Sequence, residues 1–285
     1  MQTFTSIEVR IMGFETYYTH LQNKHFPKHK TSLTIICMIE FKNVVKKFGE
    51  RTVLKGLTFK INPGEILFVL GTSGTGKSVL LKNIVGLLKP DGGEIWVDGQ
   101  EVSKFSEIEY FPVRKKCGMV FQHPALFDSL SIYENVAFGL RKHFKLSEEE
   151  IKTKVIKALQ LVNLSGIEAK FPAQISYGMQ KRVSLARTVA IDPKILLFDE
   201  PTTGLDPVTT QAVNKLIKDL SHELHTTSVV VSHDMQCALS IADRIIVLDK
   251  GEIVDQGTPA ELLNSTQPLV QDFLAEVKEN VQVTY

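Results

Sequence analysis

The chain has no apolar run long enough to cross a membrane, no paired cysteines and no excess of charge of one sign. The longest apolar blocks are short, such as Ile66 to Leu70, whereas a spanning helix needs about 20 such residues. The three cysteines form no CxxC pair, which excludes a disulfide scaffold and fits a reducing compartment. Lys and Arg total 33 against 32 for Asp and Glu. We therefore expect a cytoplasmic protein with no nucleic-acid partner.

The 285 residues are 43% apolar and 23% charged, which are ordinary values for a globular protein. The first 37 residues differ from the rest, because they are basic and follow no period of 2 or 3.6 residues. We interpret residues 1–37 as an extension that is disordered or not part of the native protein. Met38 is the predicted functional start.

After Met38 the pattern alternates between strands and helices. Short strands are predicted at Ile39 to Phe41 and over 53–61, with a turn at 48–50. Ile66 to Leu70 reads as a buried strand, and helical spacing follows over 79–88. Further predicted elements are an amphipathic helix over 148–162, buried strands over 195–198 and 228–231, and a hairpin formed by 245–248 and 252–254.

A glycine-rich segment lies between the buried strand and the first helix. It matches the phosphate-loop pattern G-x-x-x-x-G-K-[ST] and reads Gly71-Thr72-Ser73-Gly74-Thr75-Gly76-Lys77-Ser78. Its glycines allow backbone N–H groups to surround an anion, and the helix N-terminus adds a positive dipole end. Lys77 can reach the β- and γ-phosphates, and the Ser78 hydroxyl can ligate Mg²⁺. The segment therefore predicts binding of ATP with Mg²⁺.

Two adjacent acids, Asp199 and Glu200, end the buried strand over 195–198. In this context Asp199 is predicted to lie beside Ser78 and to hold Mg²⁺. Glu200 is the candidate general base for the water that attacks the γ-phosphate. The alternative interpretation of the two acids as a solvated turn is less favoured next to a phosphate loop. About 120 residues separate Lys77 from Asp199, too many for one crossover helix, so a helical insert is predicted between them.

Further motifs appear in a fixed order. They are Ile175-Ser176-Tyr177-Gly178-Met179-Gln180 before the acids, and Gly204-Leu205-Asp206-Pro207 and Val231-Ser232-His233-Asp234 after them. With these motifs the segment from Met38 to Gln256 resembles the ATPase subunits of ABC transporters. The resemblance implies an α/β P-loop fold with a mostly parallel core sheet, an N-terminal antiparallel β subdomain and an inserted helical subdomain. The implied domains are 38–258 for the ATPase, with the insert at about 123–180, and 259–285 for a helical tail.

The resemblance also implies roles for individual residues. Phe48 resembles the aromatic residue that stacks on adenine, and Gln122 occupies the place of the glutamine that contacts Mg²⁺ and the attacking water. Ser176 and Gly178 fall in the signature segment, which contacts the γ-phosphate bound by a second copy. His233 resembles the switch histidine that holds Glu200 and the water in line. The catalytic set is thus Glu200, His233, Gln122 and Lys77, and the metal set is Ser78, Gln122 and Asp199.

The signature segment departs from the usual L-S-G-G-Q, because Tyr177 replaces the first glycine and Met179 replaces the glutamine. Tyrosine does not freely adopt a positive φ, so the backbone at Tyr177 is either ordinary or strained. The departure leaves open whether these two side chains contact nucleotide.

Several stretches resemble one subfamily, the ATPases of phospholipid-trafficking systems of the Mla type and those paired with MCE-domain proteins. These stretches are 74–82, 124–130, 134–138 and 267–274. The resemblance implies a homodimer that sandwiches ATP on the cytoplasmic face of the inner membrane and drives a separate permease, gripped around Phe121 to Ala137. An MCE-type lipid-binding protein is a further implied partner, and the implied cargo is lipid, foremost phospholipid.

Two alternatives stay open, namely an ABC ATPase for another cargo such as amino acids and a non-transport regulatory ABC ATPase. The C-terminal tail carries Leu269, Phe273 and Val277 at a spacing of four, which predicts an apolar stripe. This stripe is predicted to dock on its own ATPase domain, with the partner subunit as the alternative.

Overall fold

The computed structural model describes residues 37–282, with side chains described as far as Lys278. The predicted extension over residues 1–37 lies outside this range except for Cys37. Within residues 37–282 no helix combines the length and the apolar character of a membrane span.

An antiparallel sheet forms the N-terminal part of the described chain. Its strands, in spatial order, are β2 (Arg51–Ile61), β1 (Ile39–Phe48), β4 (Gly92–Val97) and β5 (Gln100–Glu101). The predicted short strands are parts of two long strands, and the predicted turn lies at Gly49 and Glu50, between the paired residues Phe48 and Arg51. The pairing shifts register between Phe41 and Val44, which interrupts the alternation that marks a strand in the sequence.

The second sheet has six strands and forms the centre of the molecule. In spatial order they are β10 (Glu252–Gly257), β9 (Arg244–Asp249), β3 (Ile66–Leu70), β8 (Thr227–Ser232), β7 (Ile195–Asp199) and β6 (Cys117–Val120). All neighbours are parallel except β10, which pairs antiparallel with β9 in the predicted hairpin. The predicted α/β fold with a mostly parallel core sheet and an N-terminal antiparallel sheet is confirmed.

The parallel register brings four strand ends to one edge. Leu70 at the end of β3 pairs with Ser232 at the end of β8, and Asp199 at the end of β7 pairs with Val231. Val120 at the end of β6 pairs with Phe198. In open parallel sheets ligands bind at the carboxyl edge. The phosphate loop, His233, Glu200 and Gln122 each follow one of these four ends.

The helices of the described chain are α1 (Lys77–Ile84), α2 (Glu107–Lys116), α3 (Ile132–His143), α4 (Glu148–Leu161), α5 (Tyr177–Val189), α6 (Pro207–Glu223), α7 (Met235–Ile241), α8 (Pro259–Leu262) and α9 (Pro268–Gln282). They pack on the central sheet or, as α3 and α4 do on α5, on the helices that cover it. The first helix starts earlier than predicted and ends four residues before Leu88. It stops because Gly86 takes φ 67° and lies against the Tyr110 ring, where a Cβ would come within 2.4 Å of a ring carbon.

Successive side chains of β3 point to opposite faces and enter two different cores. Phe68 and its alternate neighbours pack with the helical insert, α5 and the C-terminal helices. Leu67 and Val69 pack with α1 and the antiparallel sheet. This alternation follows from strand geometry. It explains why β3 is apolar at every position and is buried on both sides.

The C-terminal helix α9 packs on the core of its own chain. Its most buried side chains are Val270, Phe273 and Leu274, with Leu269 and Val277 partly buried beside them. All three residues of the predicted stripe therefore pack on the core, and Val270 and Leu274 extend the apolar face beyond it. Since the chain's own core covers this face, packing of the same side chains on a partner subunit is not what the structure shows.

Replacing Phe273 by Ala is expected to lower the free energy of unfolding by about 3 kcal/mol, because truncation of a buried phenyl ring leaves a cavity. Urea unfolding followed by circular dichroism measures this change. Asp272 is the neighbouring exposed position, and its replacement by Ala is the control, with an expected change within about 0.5 kcal/mol. Equal midpoints for the two variants would mean that α9 does not contribute to the cooperative core.

Candidate active site

The glycine-rich loop closes directly onto the N-terminus of α1. Gly76 precedes the first helical residue with φ 106°, and a Cβ at this position would lie 2.7 Å from Cδ2 of Leu54. Only glycine fits this backbone and this contact. The free N–H groups of the first turn of α1 therefore face the loop, in the arrangement that binds an anion.

Lys77 places a buried ammonium group inside the same loop. Its Nζ donates to the carbonyl oxygens of Gly71 at 2.7 Å and Thr72 at 3.0 Å. Glu200 Oε1 lies 3.6 Å from Nζ. Burial lowers the pKa of Lys77 below its ordinary value, and the charge of Glu200 opposes this effect. The loop thus combines backbone donors with a cation, which is the chemistry that phosphate groups need.

The predicted metal residues Ser78 and Asp199 lie in direct contact. The Ser78 hydroxyl donates to Asp199 Oδ1 at 2.7 Å, although 121 sequence positions separate the two residues. Ser78 is the second residue of α1, after Lys77, and Asp199 ends β7. This juxtaposition of a hydroxyl and a carboxylate was predicted from the sequence.

Glu200 is the centre of the polar contacts in the site. His233 Nδ1 lies 2.9 Å from Glu200 Oε2, and the Thr203 hydroxyl donates to the same oxygen at 2.7 Å. Glu200 itself has φ 49°, the left-handed region that non-glycine residues seldom adopt. Thr203 was not predicted as a site residue from the sequence. Its position three residues after Glu200 was the only signal in the sequence for this contact.

Lys77, Ser78, Glu200, Thr203 and His233 line one cleft of about 480 Å³, and Asp199 contacts it through Ser78. The lining residues, which include the third predicted metal residue Gln122, are Arg51, Val53, Ser73, Gly74, Gly76, Lys77, Ser78, Val79, Gln122, Glu200, Thr203 and His233. Arg51 was also missed in the sequence, and its guanidinium donates to the Gly74 carbonyl at 3.4 Å. The cleft can hold a polyphosphate against the loop with a carboxylate on its far side.

The structure does not bring Phe48 into the lining of this cleft. Phe48 ends β1 with its side chain 46% exposed, and Lys46 Nζ lies 5.4 Å from the centre of its ring. The adenine-stacking role of Phe48 stays a prediction.

Ser176 and Gly178 lie in a second cleft, of about 380 Å³. The other residues that line it are Tyr177, Met179, Arg182, Gly204, Leu205, Asp206 and Thr209. Ser176 caps α5, and its hydroxyl accepts from the Met179 N–H at 3.3 Å. The signature segment therefore presents a capped helix N-terminus on a different surface from the phosphate loop of the same chain.

Tyr177 has ordinary backbone geometry, as the first residue of α5. Its hydroxyl lies 3.3 Å from His123 Nδ1, in the loop that follows Gln122. Met179 is partly buried against the core. The side chain of Tyr177 thus contacts the chain's own loop, which the sequence did not predict.

The comparisons with known proteins agree with this geometry. A family model described as "ABC transporter" matches residues 54–203. The chain is 43% identical over 236 residues to the probable ribonucleotide transport ATP-binding protein mkl of Mycobacterium leprae, which covers 83% of this chain and 68% of mkl. It is 42% identical over 237 residues to the intermembrane phospholipid transport system ATP-binding protein MlaF of Haemophilus influenzae, which covers 83% of this chain and 90% of MlaF.

A solved structure has the same fold. The dimeric post-hydrolysis state of the ATP-binding cassette MJ0796, bound to ADP and Pi, superposes with a TM-score of 0.72. Its sequence is 35% identical, and the match covers 78% of this chain and 99% of MJ0796.

Proposed function

This chain belongs to the ABC transporter family of ATP-binding proteins and hydrolyses ATP, and from that premise we propose that it powers the transport of lipid, foremost phospholipid, through a separate permease. The observation that carries this proposal is the 42% identity to MlaF over 90% of that protein. MlaF is named for intermembrane phospholipid transport, whereas mkl is named for ribonucleotide transport. The cargo is therefore the part of the proposal that needs the sharpest test.

For the hydrolysis step, Glu200 is proposed as the general base. Its carboxylate faces the cleft between His233 and Lys77, within reach of a water next to a bound γ-phosphate. His233, held at 2.9 Å from Glu200, would keep the carboxylate and the water in line. The phosphate loop, Lys77 and Gln122 would hold and orient the triphosphate. Positioning and electrostatic stabilisation account for most catalysis of phosphoryl transfer.

Mg²⁺ is the ion that this donor set fits. Ser78 Oγ and Asp199 Oδ1 lie 2.7 Å apart, and hydroxyl and carboxylate oxygens are ligands that Mg²⁺ prefers. Gln122 lines the same cleft and offers an amide oxygen. When bound, the ion neutralises charge on the β- and γ-phosphates. Ser78, Asp199 and Gln122 are the residues proposed to hold it.

The second cleft supports a dimer of two copies. The phosphate loop leaves one side of its cleft open, and the capped N-terminus of α5 with Ser176 and Gly178 faces outward elsewhere. A twofold arrangement would place the signature segment of each copy over the triphosphate of the other and so create two closed sites. The MJ0796 structure, which is dimeric with ADP and Pi, supports this arrangement for the present chain.

Exposed aromatic side chains mark the proposed permease contact. Phe127 and Phe138 have ring centres 4.9 Å apart and are both exposed, and Phe121 is exposed next to Gln122. Grouped exposed aromatics are typical of protein interaction sites. We propose that this surface, within 121–138, binds the permease on the cytoplasmic face of the inner membrane. An MCE-type lipid-binding protein is a further proposed partner.

A pull-down of the tagged full-length chain from detergent-solubilised membranes tests the proposal. Recovery of a permease together with a lipid-binding protein, and of ATPase activity that rises when the complex is placed in phospholipid vesicles, would support lipid cargo. Stimulation by ribonucleotides or amino acids instead would assign another cargo. Recovery of ribosomes or DNA without a permease would contradict a transport function.

The substitution Phe127→Ser is expected to reduce permease recovery in this pull-down about tenfold or more, because an aromatic anchor at an interface contributes about 2 kcal/mol and about 1.4 kcal/mol corresponds to a tenfold change in affinity. Leu263→Ser is the matched control, since Leu263 is 55% exposed and Phe127 is 44% exposed. The control is expected to recover the permease at the unmodified level. Equal recovery by both variants would place the permease contact elsewhere.

A further inference from the structure

Lys181 is a charged residue for which no role was predicted from the sequence. It is nevertheless buried, with only 4% of its surface exposed. It lies in the second turn of α5, downstream of the signature segment. Its Nζ donates to the main-chain oxygen of Gln122 at 2.8 Å and to that of Pro201 at 3.0 Å. The same atom lies 5.5 Å from the centre of the Tyr177 ring. Its hydrogen bonds within the described residues thus go to carbonyl groups rather than to a carboxylate.

A lysine is seldom buried without a paired acid, because desolvation of the ammonium is costly. Burial lowers the pKa of Lys181 to about 8, an effect that the charge of Glu200 opposes. Two carbonyl oxygens offset part of the desolvation cost only while both stay at hydrogen-bond distance. The ammonium therefore favours one fixed arrangement of the two peptide groups that it contacts.

Both peptide groups belong to the active site. Gln122 begins the loop after β6, and Pro201 directly follows Glu200. The positive φ of Glu200 is a strained conformation, which persists only where the surroundings fix it. The Glu200 N–H donates to the Val231 carbonyl at 2.9 Å and so fixes the residue on one side. On the other side, the Thr203 N–H donates to the Glu200 carbonyl at 3.3 Å. Lys181 binds the carbonyl of the next residue, Pro201.

We infer that Lys181 is a positioning residue for ATP hydrolysis, which joins the signature helix α5 to the Gln122 loop and holds the turn that directs the Glu200 carboxylate into the cleft. The inference rests on the proposed role of Glu200 as the general base. Because α5 also carries the signature segment, a displacement of that segment would move the two carbonyls bound to Lys181. Contact with the second copy would thereby be linked to the position of Glu200.

Other residues also attach the Gln122 loop to α5, so the positioning role of Lys181 can be distinguished from a role in holding the fold together. Arg187, also on α5, donates to the carbonyls of Ala125 at 2.8 Å and Pro124 at 3.2 Å. The loop is thus attached to α5 without Lys181. What Lys181 adds is the contact with Pro201, and therefore the connection to Glu200.

Lys181→Met keeps the length of the side chain and removes the charge and both hydrogen bonds. In the full-length chain we expect kcat for ATP hydrolysis to fall roughly tenfold, while the Kd for ATP changes less than about twofold. Lys181→Arg keeps the donors, and its kcat is expected within about threefold of the unmodified chain. Thermal unfolding shows that each variant is folded.

Arg114→Met is the control outside the active site. Arg114 likewise donates to main-chain carbonyls, those of Val85 at 2.9 Å and Gly86 at 3.3 Å, and lies 5.5 Å from the centre of the Tyr110 ring, but it also pairs with the Glu107 carboxylate. Its loss is expected to lower the unfolding midpoint but to leave kcat within about twofold. A kcat of Lys181→Met within twofold of the unmodified chain, or a Lys181→Arg variant as slow as Lys181→Met, would overturn the inference.

A double variant tests whether Lys181 acts through Glu200. In the Glu200→Gln background, Lys181→Met is expected to slow hydrolysis by less than about threefold, since effects that share one path do not multiply. A full tenfold loss in both backgrounds would overturn the Lys181 inference and leave the role of Glu200 intact. If Glu200→Gln alone keeps the unmodified rate, the proposed base and the inference fail together.

Discussion

Glu200→Gln is expected to lower kcat for ATP hydrolysis by roughly 10²–10⁴-fold, the usual contribution of a general base, while ATP still binds. Glutamine preserves the shape of the side chain and can still accept from Thr203, whose hydroxyl lies 2.7 Å from Glu200 Oε2. It cannot accept a proton from the attacking water at neutral pH. Phosphate release gives kcat, and equilibrium binding of a fluorescent ATP analogue gives the affinity.

Glu252→Gln makes the same chemical change at an exposed carboxylate that pairs with Lys55 outside the cleft. This control is expected to keep kcat within about twofold. Hydrolysis by Glu200→Gln at the control rate would mean that another group activates the water.

The second large effect is the recovery of activity when two inactive variants are mixed. One variant is changed in the phosphate loop and the other in the signature segment, the two parts that form each proposed site. Lys77→Met removes the cation of the phosphate loop and is expected to lower kcat by roughly 10²–10³-fold. Gly178→Asp places a carboxylate in the second cleft, where it would repel the γ-phosphate of the other copy, and a loss of about 10²-fold or more is expected. Each variant on its own is thus nearly inactive.

Mixing the two variants is expected to restore hydrolysis at least about tenfold above either alone. In a mixed dimer, the intact phosphate loop of the Gly178→Asp copy meets the intact signature segment of the Lys77→Met copy, and one complete site results. The control mixture combines Lys77→Met with a chain that carries both substitutions, so that no complete site can form. An unrestored rate in the first mixture would indicate that each chain hydrolyses ATP without a partner's signature segment.

Local sequence patterns were sufficient to predict which residues lie at the ends of the parallel strands and therefore meet in the site. The phosphate loop follows an entirely apolar strand, and Asp199 ends another, so the parallel sheet brings Ser78 and Asp199 together. This prediction required only the type of each strand and its end. The place of His233 next to Glu200 was predicted from the family resemblance, and the structure places it directly after β8, 2.9 Å from the Glu200 carboxylate.

Contacts made across the fold were not predictable in this way. A lysine is a residue type that is seldom buried, and only tertiary packing brings Lys181 against the carbonyls of Gln122 and Pro201. Arg51 reaches the phosphate loop from the antiparallel sheet, and no sequence spacing indicates that approach. The predicted stripe of α9 packs on the core, but a spacing of four did not indicate that Val270 and Leu274 are the more deeply buried neighbours.

The central claim is that ATP joins two copies of the chain, each of which closes the other's nucleotide site. Sedimentation velocity of the full-length Glu200→Gln variant tests it most directly, because this variant should bind ATP without consuming it. With Mg²⁺ and ATP the account predicts a species of twice the 31.9 kDa chain mass, and with ADP a return to the single chain. A single chain at saturating ATP would contradict the account.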